Sequence, residues 1–383
     1  MLKVLSVFGT RPDTIKLAPV VLELSRYPGQ IKSVTVGTAQ HREMMDQVLS
    51  VFGITPDYDL GIMKDDQTLF DIAERGLSGL REVIEAEQPD ITLVHGDTST
   101  AFTGALASFY SRVQVAHVEA GLRTYRKYDP YPEEMNRRLI GVLSDIHFAP
   151  TVEHRNNLLK ENVPRERIYV TGNTVVDAAL KIAAERTGFD DPALAGLDLA
   201  DHRLILVTAH RRENIGEPMR QICAAIRDVL SRFTDTVVVL PVHPNPRVRS
   251  TILAELSGVD RCHLVPPVSY PDMVGLLKAC YMVMTDSGGL QEEAPAFGKP
   301  VLVLRRTTER PEGLVTGTLR LAGITRHGVL EEAGILLTDA EAYNHMACAR
   351  NPYGDGHASA RIVAGILHHF GLTSERPHDF TYE

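Results

Sequence analysis

Val4-Leu5-Ser6-Val7-Phe8-Gly9-Thr10-Arg11-Pro12-Asp13-Thr14-Ile15-Lys16 decides the fold class. Its first five residues read as a buried strand, Gly9 as a tight turn, and Pro12 as the opener of a helix that runs over Ile15–Ser25. A second strand follows at Ile31–Gly37, and the signal returns at Ile91–Val94 and Val113–Val118. Strands spaced by helices of this length form βαβ units, hence an α/β chain with a parallel sheet. The pattern then starts again. Arg203–Thr208, Thr236–Pro241, Cys262–Val265, Met282–Thr285 and Val301–Leu304 are strand-like, with helical stretches such as Met219–Phe233 and Tyr270–Cys280 between them. Two βαβ arrays in series are expected, with a boundary near Gly172–Thr174 that divides the chain into 1–173 and 174–357. Thr187–His202, carrying Gly188, Pro192 and Gly196, reads as a surface connection.

Composition agrees with two folded domains. The 383 residues are 44 % hydrophobic and 23 % charged, which excludes collagen, coiled coil and disorder. Forty Lys and Arg against 49 Asp and Glu leave a net charge of −9. Residues 1–175 carry 19 basic and 23 acidic side chains, so neither half is a basic module. No global field therefore draws the chain to nucleic acid or anionic lipid, and a phosphate ligand needs local donors. The apolar run Met1–Gly9 is too short for a secretion signal, and no run of 18 apolar residues offers a membrane span, so a cytoplasmic address is expected. Cys223, Cys262, Cys280 and Cys348 form no C-x-x-C pair, so neither a disulfide scaffold nor a zinc site is expected.

Open parallel sheets bind ligands beyond the carboxyl ends of their strands, which directs attention to the loops there. After the first strand, Arg11 and Lys16 flank a helix start where backbone N–H groups already favour an anion. The segment lacks G-x-G-x-x-G and G-K-[ST], so it is neither a dinucleotide fingerprint nor a Walker loop. His95-Gly96-Asp97-Thr98 and His117-Val118-Glu119-Ala120-Gly121-Leu122-Arg123 follow two later strands, and Pro132-Glu133-Glu134-Met135-Asn136-Arg137-Arg138 comes soon after. Asp97, Glu119 and Glu133 thus fall where strand-end loops converge. Carboxylates in one crevice push each other's pKa values apart and can divide acid and base work; alternatively they are helix caps and ion-pair partners. In the second half, Asp286-Ser287-Gly288-Gly289-Leu290-Gln291-Glu292-Glu293 offers unobstructed N–H groups to a diphosphate, with Glu292 or Glu293 able to accept ribose hydroxyls. The bland reading is a glycine turn whose acidic residues complement the helix dipole. His210 beside Arg211 and Arg212 is a phosphate clamp or a solvated turn.

Taken together, Gly9–Pro12, Gln40-His41-Arg42-Glu43-Met44, His95–Thr98, His117–Arg123, Pro132–Glu134, Thr171-Gly172-Asn173-Thr174, His210-Arg211-Arg212-Glu213, Thr285–Gly289 and Asn351-Pro352-Tyr353-Gly354-Asp355-Gly356 resemble, in order, the motifs of the bacterial non-hydrolysing UDP-N-acetylglucosamine 2-epimerases. The match extends to about Arg361. The resemblance implies two Rossmann-like, doubly wound domains of the GT-B type facing across a cleft, with a C-terminal helix at about 358–372 crossing back to the first. It implies reversible conversion of UDP-N-acetylglucosamine to UDP-N-acetylmannosamine for cell-surface polysaccharide, a homodimer, and neither a metal nor another cofactor. Carbon 2 of the sugar is not next to a carbonyl, so direct deprotonation would leave an unstabilised carbanion. Elimination of UDP to a 2-acetamidoglucal, followed by re-addition, avoids this.

By matching position, Asp97, Glu119 and Glu133 resemble the family's proton-transfer carboxylates, and His210 the support for the departing diphosphate. Two faces of one carbon need two proton-transfer groups, which favours Asp97 and Glu133 as that pair and Glu119 as a positioner. Arg11 and Lys16 resemble diphosphate contacts, and Ser287, Gly288, Gly289 and Glu293 the nucleotide cradle. Gln40, Glu43, Arg211 and His243 match positions where substrate itself acts as an activator.

Asp13-Thr14 stands where the family usually has Glu-Ala, which is expected to loosen a cation such as Arg11. Tyr125–Tyr131, with Arg126-Lys127, also departs from the pattern and bears on loop closure or sugar preference. Rival readings are a hydrolysing epimerase that releases free N-acetylmannosamine, a GT-B glycosyltransferase using a UDP-sugar, and a non-catalytic nucleotide-sugar sensor.

Overall fold

The computed structural model describes residues 1–38, 42–64, 67–197 and 201–382, with the side chains of 42–44 left aside. The chain forms two compact units, 1–178 with 353–383, and 179–352. The first holds seven strands: β1 Leu2–Phe8, β2 Ile31–Gly37, β3 Tyr58–Asp59, β4 Ile91–His95, β5 Gln114–Val118, β6 Ile146–Ala149 and β7 Ile168–Val170. They pair in the order β3-β2-β1-β4-β5-β6-β7, all parallel. The second holds β8 Arg203–Thr208, β9 Thr236–Pro241, β10 Cys262–Val265, β11 Met282–Thr285, β12 Val301–Val303 and β13 Leu319–Leu321. Their order is β10-β9-β8-β11-β12-β13, again parallel.

In each sheet the order reverses beside the first strand, between β1 and β4 and between β8 and β11. Connections leave in opposite directions there, so a crevice opens at the strand ends. β1 shows why the opening segment reads so clearly. Val4, Leu5, Val7 and Phe8 are all buried, because helices cover both faces of a central parallel strand.

The helix after β1 spans Arg11–Leu24 and starts earlier than the apolar pattern suggests. Thr10 and Asp13 form its capping box, with the Thr10 N–H donating to Asp13 at 2.7 Å. Asp13 is therefore turned into the protein. It also accepts from the Thr98 hydroxyl at 3.3 Å, joining this helix start to the loop after β4. The shorter Asp serves the cap here, which is a different role from restraining Arg11.

Sequence reading passes over β3, β6, β7 and β13, which have two to four residues each and too little length to show a period. Within Thr187–His202 there is a short helix, Pro192–Ala195, capped by Asp191. The chain crosses between units inside the helix Thr174–Glu185 and returns at Tyr353. The last helix, Ala358–His369, belongs to the first unit, where Ile362, Val363 and Ile366 join the core that holds Leu17, Val20 and Leu24. No helix among the described residues is long and apolar enough to cross a membrane.

Candidate active site

The loops beyond β1, β4 and β5 and the helix Glu133–Leu143 bring polar side chains together in the first unit. Glu119 follows β5 with a φ of 64°, a left-handed conformation that is costly for glutamate and characteristic of functional turns. The next turn is equally constrained: at Gly121, φ 95°, a Cβ would lie 2.2 Å from the His154 carbonyl oxygen. Lys16 Nζ bonds Glu119 Oε2. Asn173 Nδ2 donates to the same carboxylate at 2.8 Å, and His95 Nε2 lies 3.8 Å from it. Lys16, anticipated as a diphosphate contact, is thus engaged with Glu119.

Asp97 lies in the adjoining loop, with Arg137 Nη2 2.7 Å from its Oδ2. Burial pushes its pKa up to about 6; Arg137 pulls it down, and the charges of Glu119 and Glu133 push it up again. Glu133 opens its helix half-buried, while its neighbour Glu134 is fully buried and accepts the backbone N–H groups of Thr124 and Tyr125, each at 3.0 Å. Asp97, Glu119 and Glu133 therefore share one electrostatic environment, and Lys16 and Arg137 offset their charge.

His95 and His117 stay neutral beneath this cluster. Burial lowers their pKa values to about 4 and about 3, and His117 Nε2 meets the Gly96 carbonyl at 2.7 Å. Arg123, wholly buried, forms a two-pronged bond with Glu161 at 2.8 and 2.7 Å, which gives it a structural task. Arg11 sits half-buried at the helix start.

In the second unit Asp286 organises the site. Its Oδ2 accepts from the backbone N–H groups of His210 at 2.9 Å and Arg211 at 2.8 Å, and from Asn214 Nδ2 at 2.9 Å. Its Oδ1 is 3.4 Å from His210 Nδ1. Burial lowers the His210 pKa and the Asp286 charge opposes that shift. His243 stacks on His210 with ring centroids 5.1 Å apart.

Ser287, Gly288 and Gly289 begin the short helix Gly288–Glu293. A Cβ at Gly288 would stand 3.5 Å from an Arg310 Nη2 and 3.7 Å from an Arg211 Nη2, so two guanidinium groups converge on this backbone. Glu292 pairs with Arg310, whereas Glu293 accepts from the Tyr270 hydroxyl at 3.0 Å. Gln40 lies outside the described residues, as does the side chain of Glu43. Among the described residues, no three His, Cys, Asp or Glu side chains are grouped so as to hold a metal ion. Burial raises the Cys223 and Cys280 thiols to about 12, far from a reactive thiolate.

Sequence reading quoted Arg137, Asn173 and Asp286 within motifs but gave them no task. The spacing of Arg137 four residues after Glu133, on one helix face, could have drawn attention to it. Asn173 meets a partner 54 positions away, which no local signal foretells. Arg310 went unnamed there, and Tyr270 entered only as the start of a helical stretch.

A carboxylate cluster at the switch point of one doubly wound unit, with an arginine-flanked glycine turn at that of the other, stands on an α/β fold of the GT-B-like class. The sequence profile of UDP-N-acetylglucosamine 2-epimerase matches residues 23–367. The UDP-N-acetylglucosamine 2-epimerase of Bacillus subtilis is 51% identical over 380 residues, covering 99% of this chain and 99% of that protein. A crystal structure of a Listeria monocytogenes relative has a TM-score of 0.93 at 51% identity, covering 99% of both chains. The Neisseria meningitidis UDP-GlcNAc 2-epimerase, solved bound to UDP-GlcNAc, has a TM-score of 0.88 at 47% identity, covering 96% of this chain and 100% of that one. The chain belongs to the UDP-N-acetylglucosamine 2-epimerase family.

Proposed function

We propose that this enzyme interconverts UDP-N-acetylglucosamine and UDP-N-acetylmannosamine by elimination and re-addition of UDP. The observation that carries the reading is Asp97, raised to about 6 by burial beside Glu119 and Glu133. A carboxylate so poised can take a proton near neutral pH and give it back. In the forward direction one carboxylate removes the proton from carbon 2 while the bond from carbon 1 to the diphosphate oxygen breaks. Its electron pair leaves with UDP, and a double bond forms between carbons 1 and 2. In return, a UDP oxygen rebonds carbon 1 and the second carboxylate protonates carbon 2 from the opposite face. Asp97 and Glu133 are the pair; Glu119, held by Lys16 and Asn173, positions the sugar.

His210 supports the departing diphosphate: the Asp286 charge beside Nδ1 favours the protonated ring, in which Nε2 is a donor to the ligand. Ser287, Gly288 and Gly289 supply backbone donors, Arg11 a cation, and Glu293 a ribose contact. A family homodimer would bring a second copy to the exposed Phe109 and Val142, which line one hollow of the first unit. The product feeds cell-surface polysaccharide.

Substrate activation through Gln40, Glu43, Arg211 and His243 completes the reading. It predicts a lag when the reaction starts from the manno epimer alone; hyperbolic kinetics without a lag would remove it. The main test is product analysis by chromatography after incubating the purified chain with UDP-N-acetylglucosamine and no additive. UDP-N-acetylmannosamine is the expected product. Free N-acetylmannosamine with UDP would instead make the enzyme the hydrolysing type, and transfer only to an added acceptor would make it a glycosyltransferase.

A further inference from the structure

We propose that Arg137 is the positioning residue of the acid–base centre: it fastens Asp97 to the helix that carries Glu133, so one rigid element sets the separation of the two proton-transfer groups. The inference rests on the epimerisation reading for its purpose, although the fastening itself is a matter of geometry.

Asp97 and Glu133 come from different elements, a loop after β4 and the first turn of the helix Glu133–Leu143. A reaction on two faces of one carbon tolerates little drift between them, since misplacement of about 1 Å costs about 10²-fold. Two bonds from a single helical turn remove that drift. Arg137 Nη2 holds the Asp97 carboxylate at 2.7 Å, and the neighbouring Asn136 Nδ2 holds the Asp97 carbonyl oxygen at 2.9 Å. Arg137 lies one turn after Glu133, so both side chains project from the same face.

The guanidinium is poorly arranged for stability alone. Among the described residues, none hydrogen-bonds its buried Nε or Nη1, and Nη1 is 3.6 Å from Glu134 Oε2. Buried unpaired donors cost free energy, so such an arrangement is retained for what its one good bond accomplishes. Glu134, in turn, secures the backbone of Thr124 and Tyr125, and the same turn thereby braces the loop leading to Glu133.

The charges acting on Asp97 are Arg137 and Glu133 from this helix, Glu119 from the end of β5, and Lys16 from the first helix; His95, neutral, lies beside Glu119. Arg137 is the cation bound to Asp97, whereas Lys16 is bound to Glu119. Loss of Arg137 therefore frees the Asp97 carboxylate and makes it easier to protonate.

The test compares the wild type with Arg137→Met and Arg137→Lys, reading kcat and KM from pH 5 to 9, UDP affinity, and the Asp97 titration by carbon-13 NMR. Arg137→Met is expected to lose about 10²-fold in kcat, with KM and UDP affinity changed by less than about threefold. Its acid limb and its Asp97 midpoint should both rise by about one unit. Arg137→Lys should recover part of each effect, because an ammonium restores charge without the planar fork. Unmoved midpoints, or a loss carried by KM alone, would overturn the proposal. Should Arg137→Met fail to fold, the smaller upward shift in Arg137→Lys decides, and its absence overturns the proposal. Should the wild type not epimerise, the functional reading fails separately; the Asp97 titration needs no turnover and still judges the fastening.

Discussion

Asp97 combines the demands of the site in one side chain. Half-buried and salt-bridged, it is held at about 6 rather than at an ordinary aspartate value. In the direction in which Asp97 takes the proton, an acid limb is accordingly expected near pH 6, since this carboxylate is ionised above it and protonated below it. A pH–rate profile measures this, and activity that stays level down to pH 4.5 would disagree. Asp97→Asn and Glu133→Gln should each lower turnover by at least about 10²-fold while UDP still binds, as calorimetry would report. Retained turnover in both would displace the pair. At this scale the sequence named the carboxylates by residue type and by place after strands. It left their partners unnamed, because Arg137 and Asn173 reach them only through the folded chain. It considered Asp13 only through its effect on a cation such as Arg11 and missed the capping box, which turns that carboxylate inward, where burial raises it to about 6.

At the scale of elements, the strands of five or more residues were all legible, whereas of those with two to four residues only β10, β11 and β12 were. β1, β2, β8 and β9 have six or seven residues rich in Val, Leu and Ile, whereas β7 and β13 have three each. The strands also carry a pH liability. His95, His117 and His147 lie on the neighbouring strands β4, β5 and β6, with His117 and His147 in register, and burial lowers them to about 4, about 3 and about 4. Above pH 6.5, the ordinary histidine value, they are neutral both folded and unfolded. As pH falls below it, the unfolded chain takes up protons that the folded chain refuses, and stability is lost. Asp13 and Asp97 oppose this, since their raised pKa values let the folded state bind protons first between about 6 and 3.8. Three large histidine shifts outweigh two carboxylate shifts. The melting temperature should fall from pH 7 to pH 5, less steeply in His117→Gln, whose amide can still bond the Gly96 carbonyl. Equal slopes would contradict the assignment. Gly121→Ala, forced against the His154 carbonyl at a positive φ, should cost about 2 kcal/mol or more, read by thermal unfolding.

Across the whole molecule, the motif Asn351–Gly356 marks the chain's return to its first unit. The Asn173 N–H donates to the Tyr353 carbonyl at 2.6 Å, and Gly354 packs against Gly172. Asp177 then accepts the N–H groups of Ala358 and Ser359 at 3.1 and 2.7 Å, capping the last helix from a residue far earlier in the chain. Asp177→Ala should therefore destabilise the first unit by about 1–2 kcal/mol, visible as a lower melting temperature; an unchanged one would mean that the cap is dispensable. This return path was suggested by resemblance and by no periodicity. Its contacts join positions 180 or more residues apart.

Epimerisation by elimination requires that carbon 2 exchange its proton with solvent while UDP leaves and returns. The direct measurement is proton NMR of UDP-N-acetylglucosamine incubated with the purified chain in deuterium oxide, with no cofactor added. The manno epimer should carry deuterium at carbon 2, and deuterium should appear in the gluco epimer as the reaction reverses. An epimer that keeps its original hydrogen at carbon 2 would contradict it.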